Sequence, residues 1–453
     1  MPILSKEEAK QIIDKVLSYA KADETSANLS GSRRGNIRYA RNAVSTSGES
    51  DNLSLSVTAV FGKKAGTATI NEFDDASLEK TVRRAEEVAR LAPENPEYMP
   101  MLGPQPYLDT KTFADSTAKI DPDFRAQATF DSIDPCRKKN LTAAGYMEDT
   151  TGFNAIGNSK GLFGYNKATN VDFSVTVRTA DGTGSGYARP DFTDVSKLNT
   201  RATTEIAMQK ALASVNARAL EPGKYTVILE PTASVELLQN MVRSMDARST
   251  DEGRSFLSKK GGGSRLGDKL FDERVTIYTD PMNAELPLSP FGGGGGGGGR
   301  FGGGGGGNDG VPQEKVTWIE NGVVKNVPSS RYWADKKGIK AIPNPAGFIV
   351  QGGTQSLADM IKSTEKGILV TRFWYIRAVD PQTLLYTGLT RDGTFYIENG
   401  QIKFPVKNFR FNESPVIMLN NLEALGKPIR SGGNLIPPMK IRDFTFTSLS
   451  DAV

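Results

Sequence analysis

The first apolar pattern along the chain has a helical period: Ile12, Ile13, Val16, Leu17 and Ala20 recur behind Ser5-Lys6-Glu7-Glu8. Ser-x-x-Glu is a capping box, in which the two side chains satisfy backbone N–H groups that a first helical turn leaves open, so a helix is predicted to start there. The period then changes to two. Thr25 to Ser30, Asn36 to Arg41 and Leu53 to Phe61 alternate polar and apolar in the manner of half-buried antiparallel strands, with Gly31, Gly35 and Gly62 read as breaks. A helical period returns in Leu78, Val82, Ala85, Val88, Ala89 and Leu91, with Asp74 or Asp75 as N-cap and Pro93 as the stop.

Residues 93–118, rich in proline and polar side chains, read as a linker. The same succession then recurs. A helix spans Phe124 to Lys139, interrupted or ended near Pro135, and strands follow at Gly145 to Thr150, Phe153 to Gly157, Leu162 to Tyr165 and Val171 to Thr179. A closing helix runs from about Ser196 to Val215, and Phe73-Asp74-Asp75-Ala76-Ser77 in the first unit is echoed by Phe192-Thr193-Asp194-Val195-Ser196 in the second. Recurrence of a whole helix–strands–helix unit favours a duplication over two separate solutions to covering a sheet.

From about Tyr225 the chain is mostly strand and turn. Trp318-Ile319-Glu320-Asn321-Gly322-Val323-Val324-Lys325 is echoed by Tyr396-Ile397-Glu398-Asn399-Gly400-Gln401-Ile402-Lys403. Asn-Gly between alternating residues predicts a hairpin, because a type I′ turn needs positive φ at both central positions. The fold class expected is α+β, with N-terminal helix-flanked antiparallel sheet units followed by a larger, mainly β C-terminal domain. The expected boundaries are 1–118, 119–220 and 221–453.

Composition narrows the function mainly by exclusion. The 453 residues carry a formal charge of +4, from 56 basic against 52 acidic side chains. So balanced a chain has no strong field for nucleic acid or an anionic membrane, and nucleic-acid binding is not expected. No stretch approaches the ~20 apolar residues of a membrane span. The N-terminus reads as a capped helix instead of a signal peptide, and the one cysteine, Cys136, excludes an internal disulfide. A cytoplasmic location is the expectation. Two glycine runs, 292–299 and 302–307, lack the ending of a phosphate-binding loop and read as a flexible surface insertion.

The absence of histidine removes Ser-His-Asp and Cys-His catalysis and the usual zinc ligand sets. An all-carboxylate metal site is left, and Asp246, Asp251 and Glu252 are its nearest candidates, although Arg243, Arg248 and Arg254 beside them point to a salt-bridged surface. Ser255 and Lys259 lie four apart and miss the Ser-x-x-Lys spacing, which Ser77 with Lys80 and Ser363 with Lys366 meet without companion motifs. A two-carboxylate acid–base pair stays open, since sequence alone places no two acids at the required separation.

Longer phrases carry more information. They include Gly253-Arg254-Ser255-Phe256-Leu257, Gly267 to Thr276 (GDKLFDERVT), Ser289-Pro290-Phe291 and Asp309-Gly310-Val311-Pro312. Gly367 to Arg377 (GILVTRFWYIR), Val379-Asp380-Pro381, Thr387 to Phe395 (TGLTRDGTF) and Pro437 to Phe444 (PPMKIRDF) follow in order. This text resembles the TldD/PmbA family, once labelled modulators of DNA gyrase and understood as metalloprotease subunits. The resemblance implies that active subunits bind zinc through an HExxxH helix and a cysteine near the C-terminus. The corresponding helix here, Pro231 to Leu238, has Glu236 but no histidine, and Ser431-Gly432-Gly433-Asn434 stands where the cysteine would be sought.

The chain is therefore similar to the PmbA/TldE branch, which lacks the zinc motif. That branch implies a subunit with no catalytic residue and no metal ligand of its own, inactive alone, with zinc only in a TldD-like HExxxH partner. The implied substrate is an unfolded or leader-type peptide, and a homodimer is also open. A peptide added to a sheet edge needs backbone groups and pockets but no catalytic side chain. Arg372, Tyr375, Arg391 and Asp392 are the candidates to line such a peptide tunnel, against the plainer reading of ion pairs and core edges. The competing function is a stand-alone hydrolase or metallopeptidase using carboxylates or an unrecognised metal site.

Overall fold

A computed structural model describes residues 3–292 and 309–450; the glycine runs, Gly292 apart, lie outside the described residues. Helix α1 (Lys6–Ser18) begins at the capping box: Ser5 Oγ accepts from the Glu8 N–H at 3.1 Å, and the Glu8 carboxylate accepts from the Ser5 N–H at 2.7 Å. Strands β1 (Glu24–Ala40), β2 (Ala43–Phe61) and β3 (Lys64–Ile70) follow, then α2 (Asp75–Leu91), capped by Asp74. After one helical turn, α3 (Asp115–Ala118), the layout repeats. It runs α4 (Pro122–Lys138), β4 (Leu141–Asn158), β5 (Phe163–Thr179), β6 (Ser185–Ala188), β7 (Asp191–Phe192) and α5 (Thr200–Ala213).

The two units share one sheet. β1 pairs antiparallel with β4 from Ser26↔Asn158 to Tyr39↔Gly145, giving seven strands in the order β3-β2-β1-β4-β5-β6, with β7 also on β5. Four details correct the sequence reading. Gly31 and Gly35 do not break a strand, because β1 runs through both; Gly145–Thr150 and Phe153–Gly157 are likewise one strand. β5 joins the next two pieces, and α4 runs on through Pro135 into its last turn. The glycines are there for room. A Cβ on Gly35 would lie 1.8 Å from the Arg125 guanidinium, and one on Gly145 would lie 2.3 Å from the Tyr39 hydroxyl.

Alternation sends one face of this sheet under the helices. Ala27, Leu29, Leu55, Val57 and Phe153 pack with α1 and α2, and Ile37, Tyr39, Met147, Phe173 and Val175 pack with α4 and α5. The opposite face is lined by Ser26, Asn28, Ser30, Ser54, Ser56, Thr58, Asn170, Ser174 and Thr176, all half-buried. Arg125 of α4 crosses the apolar face over Gly35, meeting Asp149 at 2.6 Å and Glu49 at 2.8 Å. Cys136 is fully buried at the end of the same helix, and burial pushes its thiol up to about 11. The thiolate is the reactive species. An aromatic disulfide reagent is accordingly expected to find no thiol in the native protein and one per chain in denaturant.

The C-terminal half opens with β8 (Gly223–Leu229) and α6 (Pro231–Arg243). A six-stranded sheet is built from β9 (Ile277–Thr279), β10 (Val316–Glu320), β11 (Val323–Val324), β12 (Ile349–Val350), β20 (Ile429–Ser431) and β21 (Asn434–Ile436). A nine-stranded sheet has the order β14-β15-β18-β22-β8-β13-β16-β17. Its strands besides β8 are β13 (Lys366–Val370), β14 (Phe373–Asp380), β15 (Leu385–Thr390), β16 (Thr394–Glu398), β17 (Gln401–Pro405), β18 (Phe409–Glu413) and β22 (Met439–Leu449), with β19 (Leu422–Leu425) on β22. One core joins the two sheets: Leu237, Leu238 and Met241 of α6 pack in the same cluster as Trp318, Phe409, Phe411, Phe444 and Phe446. Both Asn-Gly hairpins form, with φ of 48° and 79° at Asn321 and Gly322 and 52° and 73° at Asn399 and Gly400. The fold class is α+β.

Candidate functional site

Helix α6 starts with Pro231 at its first position, where a missing N–H costs nothing, and Glu230 precedes it. The Glu230 carboxylate is tied to Lys210 of α5 at 2.6 Å, which fixes this helix start against the N-terminal half. Ala233, Ser234, Leu237 and Leu238 turn into the core, and Glu236 projects to the exposed side. Protein mass around it raises the Glu236 carboxyl above its ordinary range, against the opposing fields of Arg372, Arg377 and Arg243.

Arg372, at the turn from β13 into β14, meets Asp392 at 2.6 Å. Asp392 is buried at φ +56° between β15 and β16; its second oxygen accepts from Ser185 Oγ of β6 at 2.6 Å. Arg391 Nε stands 3.9 Å from the oxygen that Arg372 holds. β14 is the edge of the nine-stranded sheet, and its register slips between Trp374 and Arg377, where Tyr375 takes φ +56°. The bulge turns two consecutive side chains outward: Trp374 is 37% and Tyr375 54% exposed, their rings 5.5 Å apart. Arg391 lies over Trp374 at 4.1 Å, Arg377 over Tyr375 at 4.2 Å and Arg372 over Tyr187 of β6 at 3.7 Å.

The structure thus brings Arg372, Arg391 and Asp392 into one ion-paired group, with Tyr375 beside them along β14. The plainer reading of these residues applies in part, since Asp392 is a buried ion-pair partner. Sequence reasoning passed over Trp374, Arg377, Tyr187 and Ser185. The run Arg372-Phe373-Trp374-Tyr375-Ile376-Arg377 did carry a signal, an arginine at each end of an aromatic stretch.

The other sequence candidates are accounted for by structure. Asp246 caps a helical turn, Asp251 accepts from Trp333 Nε1 at 2.9 Å, and Glu252 pairs with Arg248 at 3.0 Å. Ser255 Oγ reaches a backbone carbonyl, and Lys259 pairs with Asp268 at 3.0 Å.

The zinc that the resemblance implies for active subunits does not fit the residues of this chain. Val235 and Asn240 flank Glu236 at the spacing of the two histidines in HExxxH. Across from them, Asn434 is committed to the Phe348 N–H and the Gly432 carbonyl, and the Gly433 N–H to Asp191. Neither a valine nor these engaged amide groups are zinc donors. Among the described residues no group of three or more Cys, Asp or Glu side chains gathers in a metal-holding arrangement, and no helix is long and apolar enough to cross a membrane. The β20–β21 hairpin serves to dock the halves: Arg430 of β20, half-buried, meets the buried Asp191 at 2.7 Å and also bonds Thr193.

This architecture, a seven-stranded N-terminal sheet joined to a two-sheet C-terminal half, is matched along most of the chain by models of a metallopeptidase class. Three models of that class match it: PmbA/TldA metallopeptidase domain 1 at residues 27–89, the central domain at 113–215 and the C-terminal domain at 222–448. The chain belongs to the PmbA/TldD metallopeptidase family. The metalloprotease PmbA of Escherichia coli O157:H7 is 22% identical to it, over 97% of this chain and 98% of that one. A candidate modulator of a DNA gyrase from Thermotoga maritima has the same fold at TM-score 0.85 and 17% identity, covering 98% of this chain and 100% of that one. TldE from Thermococcus kodakarensis matches at TM-score 0.82 and 18% identity, with the same coverage.

Proposed function

We propose that this chain is the non-catalytic, peptide-holding subunit of a TldD/E-type zinc metalloprotease, with the zinc carried by a TldD-like partner bearing HExxxH. The observation that carries the proposal is Val235-Glu236-x-x-x-Asn240 on α6, a zinc helix without its ligands, in a chain of this family. β14 supports it, since an edge strand offers unpaired backbone groups to an added strand, with side-chain pockets for selectivity. An unfolded or leader-type peptide laid along β14 would pass Trp374, Tyr375, Arg372 and Arg391. Glu236, held above its ordinary carboxyl range, favours the second reading, a stand-alone hydrolase with a carboxylate acid.

One reconstitution separates the two. The purified chain, its HExxxH-bearing homologue from the same organism and their mixture are each given casein-like and leader-type peptides. Chelator-sensitive cleavage is expected from the mixture and none from this chain alone. Tag-free chain is expected to carry less than roughly a tenth of an equivalent of zinc by mass spectrometry. Cleavage by the single chain, reduced on Glu236→Gln substitution, would instead establish the stand-alone enzyme.

A further inference from the structure

The nine-stranded sheet ends differently on its two sides. Its β17 edge carries Lys403, a charge, and Pro405, which has no N–H, and both discourage an added strand. The β14 edge, Phe373 to Asp380 (FWYIRAVD), contains neither residue type. Apolar exposure follows the same asymmetry. Trp374, Tyr375 and Val379, the last 55% exposed, all lie on β14, whereas no other strand among the described residues exposes more than one large hydrophobic side chain. Single exposed hydrophobics are ordinary on a protein surface, but three on one eight-residue edge strand make a patch.

The two rings are held in place before any ligand arrives. The Arg391 guanidinium covers one face of Trp374 at 4.1 Å, that of Arg377 covers one face of Tyr375 at 4.2 Å, and the rings stand 5.5 Å apart. What solvent reaches is the rest of each ring. Tyrosine and tryptophan offer large contact area for little conformational entropy, and clamped rings lose less still on binding. The indole adds a directional group. Trp318 donates to Thr279 and Trp333 to Asp251, each at 2.9 Å, while the Trp374 N–H has no acceptor among the described residues. It is left for water or for a ligand acceptor such as a peptide carbonyl.

We infer that Trp374, Tyr375 and Val379 form an apolar subsite of the β14 edge, which selects extended peptide segments by a large aromatic or aliphatic side chain. The inference rests on the strand-addition reading for how the peptide backbone is held, while the side-chain selection belongs to these residues alone. Large apolar side chains are mostly buried in folded proteins, where strand backbone is mostly paired as well. An edge that requires both at once passes over folded proteins and takes unstructured segments rich in such residues.

The test uses the intact chain and three labelled versions of one extended peptide rich in serine and threonine. One has a central phenylalanine, one has serine in its place, and one keeps the phenylalanine with alternate backbone nitrogens methylated. Fluorescence anisotropy is expected to show the phenylalanine peptide binding about tenfold more tightly than the serine peptide, a ratio that added salt leaves in place. Tyr375→Asn suits the φ of +56° at an exposed position, and it should lose most of that ratio while keeping the serine baseline. Val379→Ser, at the other end of the patch, should lose a smaller part. Equal binding of the phenylalanine and serine peptides, or a ratio untouched in both variants, overturns the subsite and leaves strand addition standing. Methylation removes N–H groups that strand addition uses, so undiminished binding of the methylated peptide overturns strand addition and leaves the subsite. If no peptide binds, strand addition fails, and the subsite is judged by tryptophan fluorescence with N-acetylphenylalaninamide against N-acetylserinamide. Trp318 and Trp333 are buried, so Trp374 carries the response. A response to the aromatic amide alone, weakened in Tyr375→Asn, supports the subsite, and no difference overturns it.

Discussion

Replacing Arg125 with methionine is expected to lower the free energy of unfolding by about 3–5 kcal/mol, the usual effect of removing one partner from a buried ion pair. Arg125 is 3% exposed, and it holds Asp149 through Nε at 2.6 Å and Nη2 at 3.3 Å and Glu49 through Nη1 at 2.8 Å. Methionine fills the channel over Gly35 but leaves Asp149, itself 4% exposed, as an uncompensated charge. The double variant R125M/D149N should recover most of the loss, because the cost lies in the orphaned carboxylate and not in the lost contact.

The pH dependence has a definite sign. Burial raises the Asp149 carboxyl above its ordinary range despite Arg125. A carboxyl with a raised folded pKa binds its proton more tightly in the folded chain. Its contribution is therefore fully present below the unfolded value of about 3.9 and is lost as pH rises through the folded pKa. Without Arg125 that pKa moves further up, so the deficit of R125M should be largest at neutral pH and shrink on acidification. Urea denaturation of wild type and variant at pH 7 and pH 5 checks this. A deficit below about 1 kcal/mol at pH 7 would show that the pair is merely tolerated.

The second large effect is expected at Asp392. Asp392→Ala removes the partner of Arg372 and the acceptor of Ser185, and places alanine at φ +56°. Left-handed backbone costs alanine about 1 kcal/mol, whereas Asn and Asp adopt it readily. Arg372 keeps partial solvation, its side chain 22% exposed, so the loss of its partner is worth less than in a sealed core. A total of about 2–4 kcal/mol is expected for Asp392→Ala, with Asp392→Asn losing roughly half because it keeps the backbone and an acceptor for Ser185. Equal losses in the two variants, measured by urea denaturation, would show that charge alone matters there. Near-zero loss in both would return Asp392 to the status of a tunnel-lining residue with no structural role.

Much of the site lay in the sequence only as fragments. Arg372 and Asp392 are 20 residues apart and touch because β14 and β15 form a hairpin between them. Tyr187 and Ser185 come from the other half of the chain, and no local pattern could have placed them under Arg372 and Asp392. Trp374 was overlooked beside Tyr375, which the sequence did single out, for a different reason. A regular strand would turn them to opposite faces, and the bulge that turns both outward depends on a positive φ at a tyrosine, which has no sequence signature.

What the sequence determined by itself is the chemistry that needs no distant partner. The Ser5–Glu8 capping box and the two Asn-Gly turns are satisfied within a few residues, and a chain without histidine cannot supply an HExxxH site wherever it folds. Long phrases of family text also fixed the family, since their order survives without any knowledge of contacts. Only the tertiary structure decided that Gly31, Gly35 and Gly145 are interior to strands. A glycine is a break or a space according to what packs over it, and the Arg125 and Tyr39 side chains over two of them come from other elements. It also decided which charges meet: Arg430 finds Asp191 across 239 residues, because burial makes each the other's necessary partner once the fold has brought the two halves together.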